Sequence, residues 1–275
     1  MKLKNIIYTI ALALSVVYVS SCSNIDEDDR LIYVKPAQVN RAVLIEDFTG
    51  QKCINCPYAA LEIEKIVEHY GEENVIAVSI HCGLGMNDTP TAKYQGLMTD
   101  TGNEYYAFWG KPGQPAGVVN RSTAQTTDYS TWSNQVRTEI EKTAPLSLKV
   151  NNSYNEESRT LDVEVDAMGT DGNTDGKLQV WLIEDNIISL QDMPKDLYPG
   201  GRKYDYVHNH VFRANLTSEL WGDAVAIKEG ETTAKVYSYV LPEKWNADNV
   251  SVVAFVTGTD NRNVKQVVKK SIMNK

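Results

Sequence analysis

Cys53 and Cys56 stand two residues apart in the stretch EDFTGQKCINCP (46–57). Such a pair supports three chemistries: thiol–disulfide exchange, half of a zinc site, or a structural disulfide. Zinc normally takes four Cys or His ligands. The chain offers Cys22, Cys53, Cys56, Cys82 and four histidines. A site drawn from Cys53, Cys56, Cys82 and His81 would need the adjacent His81 and Cys82 to face one ion, so no metal is expected. In an exported protein the default for a close pair is a disulfide. Whether it is catalytic or a staple stays open on spacing alone.

The flanking elements favour redox geometry. AVLIEDF (42–48) reads as an apolar strand ending in acids. From Cys53 to Tyr70 apolar residues recur at helical spacing, and Gly71 is a suitable stop. The amides and macrodipole at a helix N-terminus stabilise a thiolate. Cys53 would then be the exposed nucleophile, and Cys56, one turn in, would resolve a mixed disulfide. Pro57 suits the first turn of a helix. Lys52 could support the thiolate by charge.

The same pattern continues. NVIAVSIH (74–81) and PAGVVNR (115–121) read as strands, and TGNEYYAFWG (101–110) and YSTWSNQVRTEIEKT (129–143) as helices. Strands alternating with helices predict an α/β domain over 41–143 with a mostly parallel sheet. After Ala144-Pro145 the period changes to two, in LSLKV, TLDVEVDA, KLQVWLIE, AKVYSYVL, NVSVVAFV and NVKQVVKK. That pattern predicts an all-β immunoglobulin-like sandwich over 145–275.

On three features the first half resembles the thioredoxin-like superfamily. A strand leads straight into Cys53-Ile54-Asn55-Cys56, Asp47 lies six residues before Cys53, and Gln114-Pro115 precedes a strand. The resemblance implies a thioredoxin-like α/β domain. It implies that Asp47 is buried behind the pair and handles protons for the second cysteine. It also implies that Pro115 is a cis-proline beside the disulfide, holding substrate backbone. Two departures stand out: Lys52 occupies the position of the usual Trp, and Ile-Asn lies between the cysteines.

Residues 1–21 have two lysines, an apolar run and small residues before Cys22, which is a signal-peptide pattern. Val19-Ser20-Ser21-Cys22 looks like a lipobox, with Cys22 acylated as the mature N-terminus. SNIDEDDR follows within an acidic tether (22–40) that like-charge repulsion extends. The formal net charge of −9 disfavours nucleic acid and anionic membrane surfaces as partners.

IEDFTGQKCINCPYAA, VSIHCG, GQPAGVVNR and YDYVHNHVFRANL with Trp221-Gly222 together resemble the Bacteroidota outer-membrane lipoproteins related to a 28-kDa outer membrane protein. The resemblance implies a lipid-anchored outer-membrane protein, on the periplasmic face or the cell surface. Thiol–disulfide exchange on envelope or extracellular proteins or peptides is the expected activity, without a cofactor. The alternative is a surface binding or adhesion lipoprotein whose cysteine pair is only structural.

Three further groups carry weaker signals. His208 and His210 could pair on a metal, or with Arg213 could tie a long loop (about 189–222) to the surface; two ligands alone rarely hold a metal. His81 and Cys82, at a strand end, are accessory candidates near Cys53. Tyr94, Tyr105, Tyr106, Phe108 and Trp109 could line a groove beside the pair, or belong to the core.

Overall fold

A computed structural model describes residues 35–87, 91, 93–122, 124–259 and 262–273. The signal segment, Cys22 and the acidic run from Asp26 to Asp29 lie outside the described residues.

The apolar runs near the N-terminus form buried strands β2 (Val43–Thr49), β3 (Val75–His81) and β4 (Ala116–Val119). β2 pairs parallel to β3 and antiparallel to β4. Helix α1 (Cys56–Tyr70) follows β2 and ends at Gly71, whose φ of +87° is open to glycine at little cost. Helices α2 (Asp100–Phe108) and α3 (Trp132–Ile140) flank β4 in sequence. Val43 and Ile45 pack beneath α1 and α3, with Ala59, Ile63, Trp132 and Val136. Leu44 and Phe48 point the other way, as strand alternation requires.

Strands from the second half enter this same sheet. They include β8 (Thr174–Glu184), β11 (Val211–Asn215), β12 (Asp223–Ile227), β14 (Val250–Gly258) and β15 (Val264–Ser271). The order is β15-β14-β8-β11-β3-β2-β4, with β12 also on β8. β11 makes the junction: Val211 pairs parallel with Ser79 of β3, while Val211 to Asn215 pair antiparallel with β8. The sheet curls so that β15 returns to β2 and β4. The Ala42 amide donates to Gln266 Oε1 at 2.9 Å, and the Val264 amide to the Asn120 carbonyl at 2.8 Å.

β8 and β14 are buried on both faces, which explains runs such as VSVVAFVTG without polar alternation. Val250, Val252, Ala254 and Val256 face a three-stranded sheet of β6 (Leu146–Asn155), β7 (Thr160–Gly169) and β13 (Thr232–Val240). Val253, Phe255, Trp181 and Ile183 face Leu44, Phe48 and Ile80 instead. Two short pairs complete the strands. β1 (Val39–Asn40) pairs with β5 (Thr143–Ala144), and β9 (Ile187–Asp192) with β10 (Arg202–His208).

The expected fold class, an α/β thioredoxin-like domain followed by an immunoglobulin-like sandwich, is therefore wrong. The described residues form a mainly β structure with three α-helices and several sheets. Strands from both halves share one eight-stranded sheet. β11 joins the halves through its pairing with β3, more than 100 residues away in sequence, which local periodicity does not report. Packing of sheet on sheet remains, but one of the two sheets is continuous with the strands beneath α1.

Candidate functional site

Cys53 and Cys56 are joined in a disulfide, Cα to Cα 5.4 Å apart. α1 begins at Cys56, not at Cys53. Cys53 lies in the preceding turn, where its amide donates to the Gly50 carbonyl at 3.0 Å. The expectation of an exposed Cys53 fails: both cysteines are only 3% exposed, while Ile54 between them is 55% exposed.

The cover comes from the second half. Gln191 of β9 donates from Nε2 to the Cys53 carbonyl at 3.0 Å and to the Gly50 carbonyl at 3.3 Å. The Asp192 amide donates to the Gln51 carbonyl at 2.7 Å, and Gln51 Nε2 to Ser189 Oγ at 2.9 Å. Tyr58 on α1 donates to Asp196, in the loop between β9 and β10, at 2.6 Å. The β9–β10 hairpin is thus bonded across the turn that carries Cys53. The sequence reading treated this region as a loop and did not single out Gln191.

Asp47 lies behind the pair, 2% exposed, and burial pushes its carboxyl up to about 7. Among the described residues, no group bonds to its Oδ1. Asp47, Cys56, His81, Tyr206 and His208 line one cavity of about 50 Å³. Burial drives His208 down to about 4 and, with His208 beside it, drives His81 well below the usual histidine range. The two imidazoles meet edge to face, 5.2 Å between centroids.

Alternation along β3 separates the two accessory candidates. His81 faces the Asp47 side, whereas Cys82 joins the core on the other face. Cys82 is fully buried, its thiol pushed up to about 12 by burial, and Gln114 Nε2 lies 3.1 Å from its sulfur. The Gln114–Pro115 bond is cis, and Pro115 is buried at the start of β4. Lys52 is held through its amide to the Met86 carbonyl at 2.9 Å.

The remaining candidates are structural. His208 Nε2 is 3.2 Å from the Leu190 carbonyl, His210 meets Asp185 and Arg213 meets Glu184, so this segment is tied down. Tyr105 packs against Trp181, Phe212 and Trp221, and Tyr106 against Phe48, so these aromatics belong to the core. A pair not singled out from sequence is Arg121 with Glu46. Its bonds of 2.6 and 2.7 Å are fully enclosed, with the guanidinium over Trp221 and Phe255. The period of two in VLIEDF was the available signal, because it sends Glu46 and Asp47 to opposite faces.

A family model described as outer membrane protein Omp28 matches residues 102–275. The match takes in the β9–β10 hairpin and His208, and begins after the cysteine pair. No curated protein matches the chain by sequence. Among solved structures, HBP35 of Porphyromonas gingivalis is similar in fold, with TM-score 0.66 and 16% identity. That alignment covers 86% of this chain and 77% of HBP35. A domain of the outer membrane lipoprotein Omp28 from Porphyromonas gingivalis aligns at 24% identity and TM-score 0.34, over 47% of this chain and 88% of that one. An Agrobacterium tumefaciens protein aligns at 15% identity and TM-score 0.48, over 87% and 98%.

Proposed function

Because the chain belongs to the Omp28 family of outer membrane proteins, we propose that it carries out thiol–disulfide exchange on proteins or peptides of the cell envelope, anchored by lipid on Cys22. The observation that carries this reading is the cavity shared by Asp47 and Cys56. A disulfide that serves only as a staple has no use for a buried carboxyl held near neutrality behind one sulfur. An exchange pair does, because its second cysteine must lose and regain a proton.

In the reducing direction, Cys53 thiolate attacks a substrate disulfide and forms a mixed disulfide, releasing one substrate thiolate. Cys56 gives up its thiol proton toward Asp47, and its sulfur attacks the Cys53 sulfur. The bond between Cys53 and the substrate breaks, and the second substrate thiolate leaves and takes a proton. Two electrons pass from the protein pair to the substrate. The oxidised pair runs the same steps backwards with a substrate dithiol. In either direction the β9–β10 hairpin must lift from Cys53, since Gln191 covers it.

That burial favours a second reading, in which the pair is a structural disulfide and the protein works through a binding surface. Cells carrying Cys56→Ser separate the two. Under the exchange reading, Cys53 accumulates in mixed disulfides with envelope proteins. Under the structural reading, no adducts form and the wild-type pair stays fully oxidised.

A further inference from the structure

We propose that His208, contributed by the second half of the chain, is a positioning residue for this exchange: with His81 it lines a cavity that holds water between Asp47 and Cys56, and so sets how readily the Cys56 proton leaves. This rests on the exchange reading and adds residues to it. Three observations carry it.

The first is space. A volume of about 50 Å³ holds roughly three to five waters, at ~10–15 Å³ of probe-occupied volume each.

The second is polarity. Asp47 Oδ1 is enclosed, and among the described residues no group bonds to it, while the His81 ring is met by the Ser79 backbone. Buried polar atoms are almost always bonded to protein or to ordered water, and leaving one unmet costs about 1–3 kcal/mol. The Asp47 carboxyl group belongs to the lining of this cavity, which has room for water to meet it.

The third is how His208 is held. The Leu190 carbonyl, 3.2 Å from Nε2, can only accept, so the neutral ring carries its proton on Nε2. That leaves Nδ1 as an acceptor. The ring stands edge to face with His81 and comes from β10, far in sequence from Asp47.

The titratable groups facing the cavity come from every surrounding element. They are Asp47 on β2, Cys56 and Glu64 on α1, His81 on β3, Tyr206 and His208 on β10, and His210 beyond it. Arg213 also acts on His81. Burial lowers both His81 and His208, so that both rings are neutral at pH 7, and pushes Tyr206 up to about 12. Asp47 is the carboxyl at this cavity that burial raises to about 7. When the Cys56 thiol ionises, its proton passes through water to Asp47, and the sulfur is then free to displace substrate from Cys53.

The test uses the full lipidated chain in detergent, reduced and then mixed with 5,5′-dithiobis(2-nitrobenzoate). The first release of thionitrobenzoate reports attack by Cys53, and the second reports displacement by Cys56. His208→Leu should leave the first phase unchanged. It should slow the second about tenfold at pH 7 and move its pH inflection up by about one unit. His208→Gln keeps a donor for Leu190 and an acceptor for water, and should restore the second phase to within about threefold of wild type. An unaltered second phase in His208→Leu overturns the proposal. So does His208→Gln failing as badly as His208→Leu with both phases slowed, which marks a purely structural role. A wild-type measurement needs no variant: the second phase should depend on the deuterium fraction of the solvent along a curve, and a straight line overturns passage through water. If wild type itself gives no second release, the exchange reading has failed. If wild type gives both phases and His208→Leu changes neither, only this inference has failed.

Discussion

The side chain of Gln191 donates to the carbonyl of Cys53 at 3.0 Å, across 138 residues of sequence. The same amide reaches the Gly50 carbonyl, so one residue of β9 fastens both ends of the turn that begins the cysteine pair. Gln191→Ala removes both bonds, at about 1 kcal/mol each. The turn should open more often, and reduction of the disulfide by a small dithiol should accelerate about tenfold, with a range of 5–30-fold. The check is the reduction rate followed by alkylation of the freed thiols. An unchanged rate means that the hairpin does not control access.

Asp47 makes stability depend on pH in a particular direction. In the folded protein its carboxyl keeps a proton up to about pH 7, whereas unfolded it ionises near 3.9. Between those values the folded state holds a proton that the unfolded state has lost. Stability therefore falls as pH rises from about 4 to about 7, and stays down above that. Asp47→Asn should match wild type near pH 4 and exceed it by on the order of 4 kcal/mol above pH 7. His81 and His208 act oppositely, costing stability as pH falls below about 6.5, but they do so in both proteins. Urea unfolding of wild type and variant across this range isolates Asp47. A difference that is flat with pH would show that the carboxyl titrates normally.

Glu46 and Arg121 form a closed ion pair within the main core, and neither side chain reaches solvent. Removing one partner strands a charge among Trp181, Trp221 and Phe255. Glu46→Gln or Arg121→Met should each cost about 3–5 kcal/mol. The double substitution should recover a large part of that loss, since no unpaired charge remains. Chemical denaturation of the three variants measures the coupling.

The local elements near the cysteines were legible because each is written in a short run. AVLIEDF alternates faces on a buried strand, and the segment ending at Gly71 keeps helical spacing. The acid at Asp47 and the strand end at His81 could be placed for the same reason. What brings them under a cover was not legible. β9, β10 and β11 were read as a loop because RKYDYVH exposes polar and aromatic side chains and its strand pairs only with β9. β11 pairs with β8 and also with β3, more than 100 residues away in sequence, so patterning suggested two separate units where strands of both halves share a sheet. His208 drew notice as a metal or tethering residue. Its contact with His81 depends on that same distant pairing.

The reduction potential of the Cys53–Cys56 pair tests the central claim most directly. It is read by equilibrating the full chain in dithiol buffers and quenching with an alkylating agent. An exchange pair should titrate at a potential above about −300 mV, within reach of envelope thiols. A midpoint below about −300 mV, with no reduction by glutathione, would contradict the account and leave the pair as a structural disulfide.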